Sequence, residues 1–193
     1  MKKTFAFISL IFLFACNSPT KYPQIIINTS LGDITVELYP QKAPITVSNF
    51  LKLIDANVYD DATFYRTVTL NNQPDNEVKI EVIQGGLSFT KDLVDFETIA
   101  HETTETTGIL HENGVISMAR NKPGSASTEF FICVGDQPSL DFDGTRNPDL
   151  QGFSAFGKVI KGLEIVKQIQ EQSEEKQLMK PRIPIDSIKR INI

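Results

Sequence analysis

Four short segments carry side chains suited to gripping a polypeptide backbone. The run Thr63-Phe64-Tyr65-Arg66-Thr67-Val68 sets a guanidinium among apolar neighbours. That group is permanently charged, and its fork of N–H donors fits a carbonyl oxygen or a nitrogen gaining a lone pair. Gln84 precedes Gly85 and Gly86. Its amide both donates and accepts, and the glycines permit close approach or unusual dihedrals. Phe130 and Phe131 are adjacent in an apolar run, so strand alternation puts them on opposite faces. An outward Phe in an open groove is a binding feature. Between the strand-like runs Val115 to Ala119 and Phe130 to Val134 lies a small, polar loop, Ala119 to Ser127. A cation, an amide and an apolar floor can hold an extended chain without any nucleophile.

Taken in order, Phe64-Tyr65-Arg66, Gln84-Gly85-Gly86 and the stretch from Val115 to Val134 resemble the cyclophilin-type peptidyl-prolyl cis-trans isomerases. The resemblance runs from about residue 25 to the C-terminus. It implies acceleration of X–Pro rotation, whose barrier is about 18–20 kcal/mol because the amide is resonance-stabilised. An acceleration of five to six orders of magnitude means lowering that barrier by roughly 7–8 kcal/mol. Such chemistry needs no metal or cofactor, and its partners are proline-containing polypeptide segments.

By the same resemblance Arg66 is the catalytic group. Phe64, Val82, Gln84, Ala119, Arg120, Glu129, Phe131, Leu140 and Phe153 contact substrate, with Phe131 flooring the proline pocket. Ala119 opens the stretch that lines the groove for residues before the proline. Several positions depart from the family pattern. Tyr65 stands where His is common, and Glu129 where Gln is frequent. That carboxylate would either orient Arg66 or compete with substrate for it. Ser139 replaces an aromatic that contacts the family's cyclic peptide inhibitor, which implies weak inhibition. Glu81 falls where a pocket Phe is usual, so either the pocket is open there or another apolar residue moves in. About ten extra residues near 70–79 form a polar, turn-rich insertion.

The elements that must position these groups follow from periodicity. Strands are expected at Ile25 to Asn28, Asp33 to Tyr39, Thr63 to Val68, Val78 to Ile83, Val115 to Ala119, Glu129 to Val134, Ser154 to Ile160 and Ile185 to Ile193. Lys42 to Asn57 switches to helical spacing, with Val47, Phe50, Leu51 and Ile54 on one face and Pro44 in the first turn. Gly162 to Glu171 is a second amphipathic helix. Periodicity alone leaves barrel and sandwich open. The resemblance implies a mainly β fold, a closed eight-stranded antiparallel barrel capped by two α-helices, with its binding site on the outer wall.

Of 193 residues, 40% are apolar, which suffices for one core, and the net charge of −5 argues against nucleic acid. Residues 1–15 read as a signal peptide. Lys2 and Lys3 precede an apolar run from Phe5 to Ala15, too short to span a bilayer. The run ends Leu13-Phe14-Ala15-Cys16, which resembles a bacterial lipoprotein signal with Cys16 as the lipidated residue. Removal of the leader takes away two lysines and no acid, so −5 becomes −7. Residues 16–22 then form a short tether and 23–193 the isomerase domain. The expected location is the bacterial cell envelope, lipid-anchored outside the cytoplasm, as a monomer. Cys133, left without a partner thiol, reads as a buried, inert side chain. Met118 reads as core. His101 and His111 lack the spacing of a metal site. Two other readings stand beside catalysis. One is a proline-binding module or holdase on the same fold; the other is a structural lipoprotein recognised through the insertion.

Overall fold

The computed structural model describes residues 22–91 and 93–191. The expected leader and Cys16 therefore lie outside the described residues. Among the described residues nine strands follow in chain order: β1 Gln24–Thr29, β2 Gly32–Leu38, β3 Thr63–Val68, β4 Val82–Gly86, β5 Val115–Met118, β6 Phe130–Cys133, β7 Ser154–Lys161, β8 Glu174–Glu175 and β9 Leu178–Ile191. Hydrogen-bonded neighbours run β1-β2-β7-β5-β6-β4-β3-β9, and β9 pairs back onto β1. That return closes an eight-stranded antiparallel barrel, which removes exposed sheet edges. β8 is a two-residue addition paired only to β9.

The barrel interior is filled by alternate residues. Ile25 and Ile27 of β1, Ile34, Val36 and Leu38 of β2, and Phe130 and Ile132 of β6 are all fully buried. The helix α1, Pro44–Asp55, turns Val47, Phe50, Leu53 and Ile54 inward. Phe50 meets Tyr59, Phe130 and Phe156 with ring centroids 5.0–5.6 Å apart. Truncating such a ring costs about 3–5 kcal/mol. A four-residue helix, α2 (Thr104–Thr107), was not expected from periodicity; Thr103 caps it through its side chain. The helix α3, Leu163–Gln170, buries Val166 and Ile169 and packs against β2, β3 and β4. Met118 is fully buried, as read from the sequence.

Two strands differ from expectation. β4 occupies Val82–Gly86 rather than Val78 to Ile83, because Gln84 and Gly85 pair with Phe131 and Phe130 of β6. Glycine has low strand propensity, so the residues alone place the strand too early. β9 starts at Leu178 rather than Ile185. Proline cannot donate to a ladder and is disfavoured within strands, yet the strand continues through both Pro181 and Pro184.

A second, smaller apolar cluster lies outside the barrel. Val68, Ile80, Val82, Phe131, Cys133 and Leu140 form it, with Ala119 and Phe153 packed alongside. Phe131 and Cys133 are the outward members of β6, whose inward members fill the core. Cys133 is fully buried, and that burial pushes its thiol well above the usual range.

Candidate active site

A groove of about 520 Å³ runs over this outer cluster. Phe131 floors it, 4% exposed, with Ile80, Val82 and Leu140 as apolar walls. Phe153 meets the Phe131 ring edge-on, centroids 5.3 Å apart. Ile80 resolves the question raised at Glu81: the end of the insertion supplies an apolar residue to the wall. Glu81 instead faces Gln170 of α3.

A bulge in β3 makes the polar side of this groove. Pairing with β4 runs Phe64↔Gly85 and then Arg66↔Gln84, so Tyr65 is the extra residue. Two consecutive side chains, Tyr65 and Arg66, therefore both line the groove. Phe64 does not. It lies inside the barrel, fully buried, against Phe130 at 5.8 Å. It therefore lacks its expected place in the binding surface: the bulge at Tyr65 breaks the alternation that would set Phe64 on the face of Arg66, so Phe64 turns inward and Tyr65 takes the outward position.

Arg66 is held by two neutral amides. Its Nη1 donates to Gln84 Oε1 at 2.9 Å, while Nε and Nη2 both donate to Gln177 Oε1 at 3.0 and 2.7 Å. Gln177 sits between β8 and β9 and was not foreseen; it lies 111 residues away in sequence. Its own amide donates to the Asn72 carbonyl in the insertion at 3.0 Å. No carboxylate forms an ion pair with Arg66 among the described residues. Burial lowers its pKa, partly opposed by Tyr65, but an arginine remains cationic. Fixed orientation with undiminished charge is what these amides provide.

Glu129 lies behind that cradle, 8% exposed. Its Oε1 accepts from the backbone N–H groups of Leu87 and Ser88 at 2.7 and 3.2 Å, and from Thr128 Oγ1. Its Oε2 accepts from Tyr65 Oη at 2.5 Å. It neither pairs with Arg66 nor competes for it. Instead it sets the direction of a chain of hydrogen bonds. A carboxylate accepts only, so the Tyr65 hydroxyl must donate to it. The phenol oxygen then accepts from Gln84 Nε2 at 2.6 Å. That turns Gln84 Oε1 toward Arg66. Burial, then the Glu129 charge, push the Tyr65 phenol far above its usual range, so it stays a donor.

The glycine pair now has a cause. A Cβ at Gly85 would stand 2.9 Å from the Phe64 ring, and one at Gly86 2.3 Å from Glu129 Oε1. Gly86 also has φ +144, which disfavours any side chain. Only glycine admits the carboxylate there.

Arg120 reaches the groove, but its side chain is 1% exposed. It forms a two-pronged pair with Asp149 at 2.7 and 2.8 Å, donates to the Gly152 carbonyl, and lies 5.0 Å from the Phe153 ring. Its charge is used to brace the loop before β7. Ala119, Asn121 and Ser125 also line the groove. Beneath Phe131, His111 stacks parallel to its ring at 5.8 Å and joins Asp141 (2.7 Å) to Ser117 (3.0 Å). His111 and Ser117 are buried and none of the three lines the groove, so this trio supports the floor from beneath. The sequence hid it because His111 and Asp141 are thirty residues apart.

The sequence matches the family described as cyclophilin type peptidyl-prolyl cis-trans isomerase/CLD over residues 24–190. A peptidyl-prolyl cis-trans isomerase of Acinetobacter baylyi is 33% identical over 167 residues, covering 86% of this chain and 81% of the relative. One from Streptomyces antibioticus is 35% identical over 145 residues, covering 74% and 80%. Among solved structures, a Cryptosporidium parvum cyclophilin-type isomerase superposes with TM-score 0.70 at 22% identity, covering 89% of this chain and 99% of that one. A second structure of it, obtained in the presence of the dipeptide Ala-Pro, gives 0.69. The barrel, the outer groove and these matches agree that the chain belongs to the cyclophilin-type peptidyl-prolyl cis-trans isomerases.

Proposed function

We propose that the protein accelerates X–Pro rotation in extended polypeptides by presenting Arg66 to the amide over the apolar floor of the groove. The observation that carries this is the cradle of Gln84 and Gln177, which fixes the guanidinium without neutralising it. As the amide twists, C–N double-bond character is lost and the proline nitrogen regains a lone pair. Arg66 has one N–H on each of Nη1 and Nη2 beyond those bound to the amides. These donate to the twisted form more strongly than to the planar one, which lowers the barrier rather than the ground state. Phe131, with Val82 and Leu140, takes the ring. Glu129 and Tyr65 act through Gln84 as positioning residues.

The test is the cis–trans exchange rate of a short X–Pro peptide measured by NMR with the full chain. Acceleration is expected with the native protein and its loss with folded Arg66→Ala. A folded native protein that binds the peptide without accelerating exchange would make the groove a binding module.

The sequence from Lys2 to Cys16 supports a lipid anchor outside the cytoplasm, with exported polypeptides as substrates. Among the described residues no helix is long and apolar enough to cross a membrane. Incorporation of labelled palmitate, lost in Cys16→Ser, tests the anchor. Labelling that survives the substitution sinks it.

A further inference from the structure

Besides Arg66 and the paired Arg120, the groove holds a third cation that the proposed isomerisation does not use. Arg146 lies in the segment between Leu140 and β7 and lines the same groove as Arg66. It is half-buried. Its backbone N–H donates to the Ser139 carbonyl at 3.1 Å, and its Nη1 to the Val78 carbonyl at 2.5 Å. It is thus fixed from both sides, by its own loop and by the insertion. Among the described residues no carboxylate forms an ion pair with it.

The other charges of the groove are committed. Arg120 is matched by Asp149, and the Glu129 oxygens are taken by four donors. Arg66 and Arg146 remain, two like charges facing one cleft. Burial, and then the nearby Arg66, both act against the charged form of Arg146. A free groove that keeps this repulsion gains when an anion enters. The chain as a whole carries −5, so the cationic character is local to the groove.

We propose that the groove selects polypeptides with an aspartate or glutamate next to the proline, the carboxylate pairing with Arg146 while Arg66 acts on the amide. Arg146 is tied to Val78, two residues from Ile80 in the apolar wall, so its guanidinium flanks the pocket floored by Phe131. This inference rests on the groove being the substrate site.

The experiment compares peptides with Glu, Gln or Lys in the positions flanking the proline, on either side in turn, reading both affinity and exchange rate by NMR with the full chain. The order expected is Glu above Gln above Lys. The Glu-to-Lys ratio in kcat/KM should be about tenfold at low salt and shrink at high salt. Arg146→Gln keeps a donor for the Val78 carbonyl and should bring the ratio near one. Arg146→Lys should retain the preference. A ratio unchanged by Arg146→Gln, or absent in the native protein, overturns the proposal. Binding that shows the preference without any acceleration upholds the selectivity and overturns the isomerase reading instead.

Discussion

Replacing Glu129 by Gln tests whether the directed hydrogen-bond chain sets the attitude of Arg66. The substitution is nearly isosteric but turns one acceptor into a donor. If the new NH₂ faces Leu87, two N–H groups meet where one bond of 2.7 Å stood. If it faces Tyr65, the phenol proton loses its acceptor at 2.5 Å. Its simplest remedy is for Gln84 to flip, which then points an NH₂ at the Arg66 guanidinium. Either arrangement forfeits a charge-assisted bond and leaves a buried donor unmatched, at about 1–3 kcal/mol. Gln177 still holds two N–H groups of Arg66, so the loss of orientation is partial. About 1–2 kcal/mol on the transition state corresponds to roughly a five- to thirtyfold fall in kcat/KM. Exchange NMR gives the rate, and denaturant unfolding confirms the fold. Tyr65→Phe removes the middle of the same chain, so the double variant should be little worse than either single one. Full activity in folded Glu129→Gln, or effects that simply add, would refute the reasoning.

Three further outcomes follow from the same geometry. Gln177→Glu keeps an acceptor on Arg66 but adds a counter-charge, so kcat/KM should fall tenfold or more while the fold persists; unchanged activity would show that a neutral cradle is not required. Gln73, 1% exposed, closes the insertion through bonds to Thr69 and Ile80, so Gln73→Ala should cost about 1–3 kcal/mol and expose residues 70–80 to faster amide exchange. Arg120 and a backbone bond hold the Asp149 carboxyl at about 2. Because the folded value is depressed, this contribution is present above the ordinary carboxylate range and lost as pH falls toward 2. The pair is partly solvent-screened, so the loss is small. A carboxyl titration by NMR near the ordinary value of about 3.9 would show the pair is not formed.

That Phe130 and Phe131 face opposite ways was legible because it needs only alternation within one strand, whereas which of them faces out came from the family resemblance. The barrel was legible only with the family resemblance, since β1 and β9 close it across the whole chain. The exchange of Phe64 for Tyr65 at the groove was not legible. A bulge exists only in the pairing between strands, and β3 looks regular when read alone. Gln177 was hidden for a different reason. It lies in a polar turn with φ 71, and nothing local marks such a residue as the partner of a side chain so far upstream. Glu129 was noticed as a departure, but its effect depends on Tyr65, a second departure, and the two only make sense as a pair.

The pairing of the first strand with the last bears on how this protein comes into being. Until β9 is available, β1 and β3 are both open edges, and Arg66 lacks Gln177 just before it. Contacts of such long sequence separation are slow to form, because the intervening chain must be closed first. A chain emerging from N- to C-terminus therefore gains its sealed sheet and its ordered guanidinium in the same late event. Activity during synthesis should be nil, and any partly made copy presents adhesive strand edges. Closure of the barrel and completion of the candidate site are thus one step, taken only when the last strand has been made.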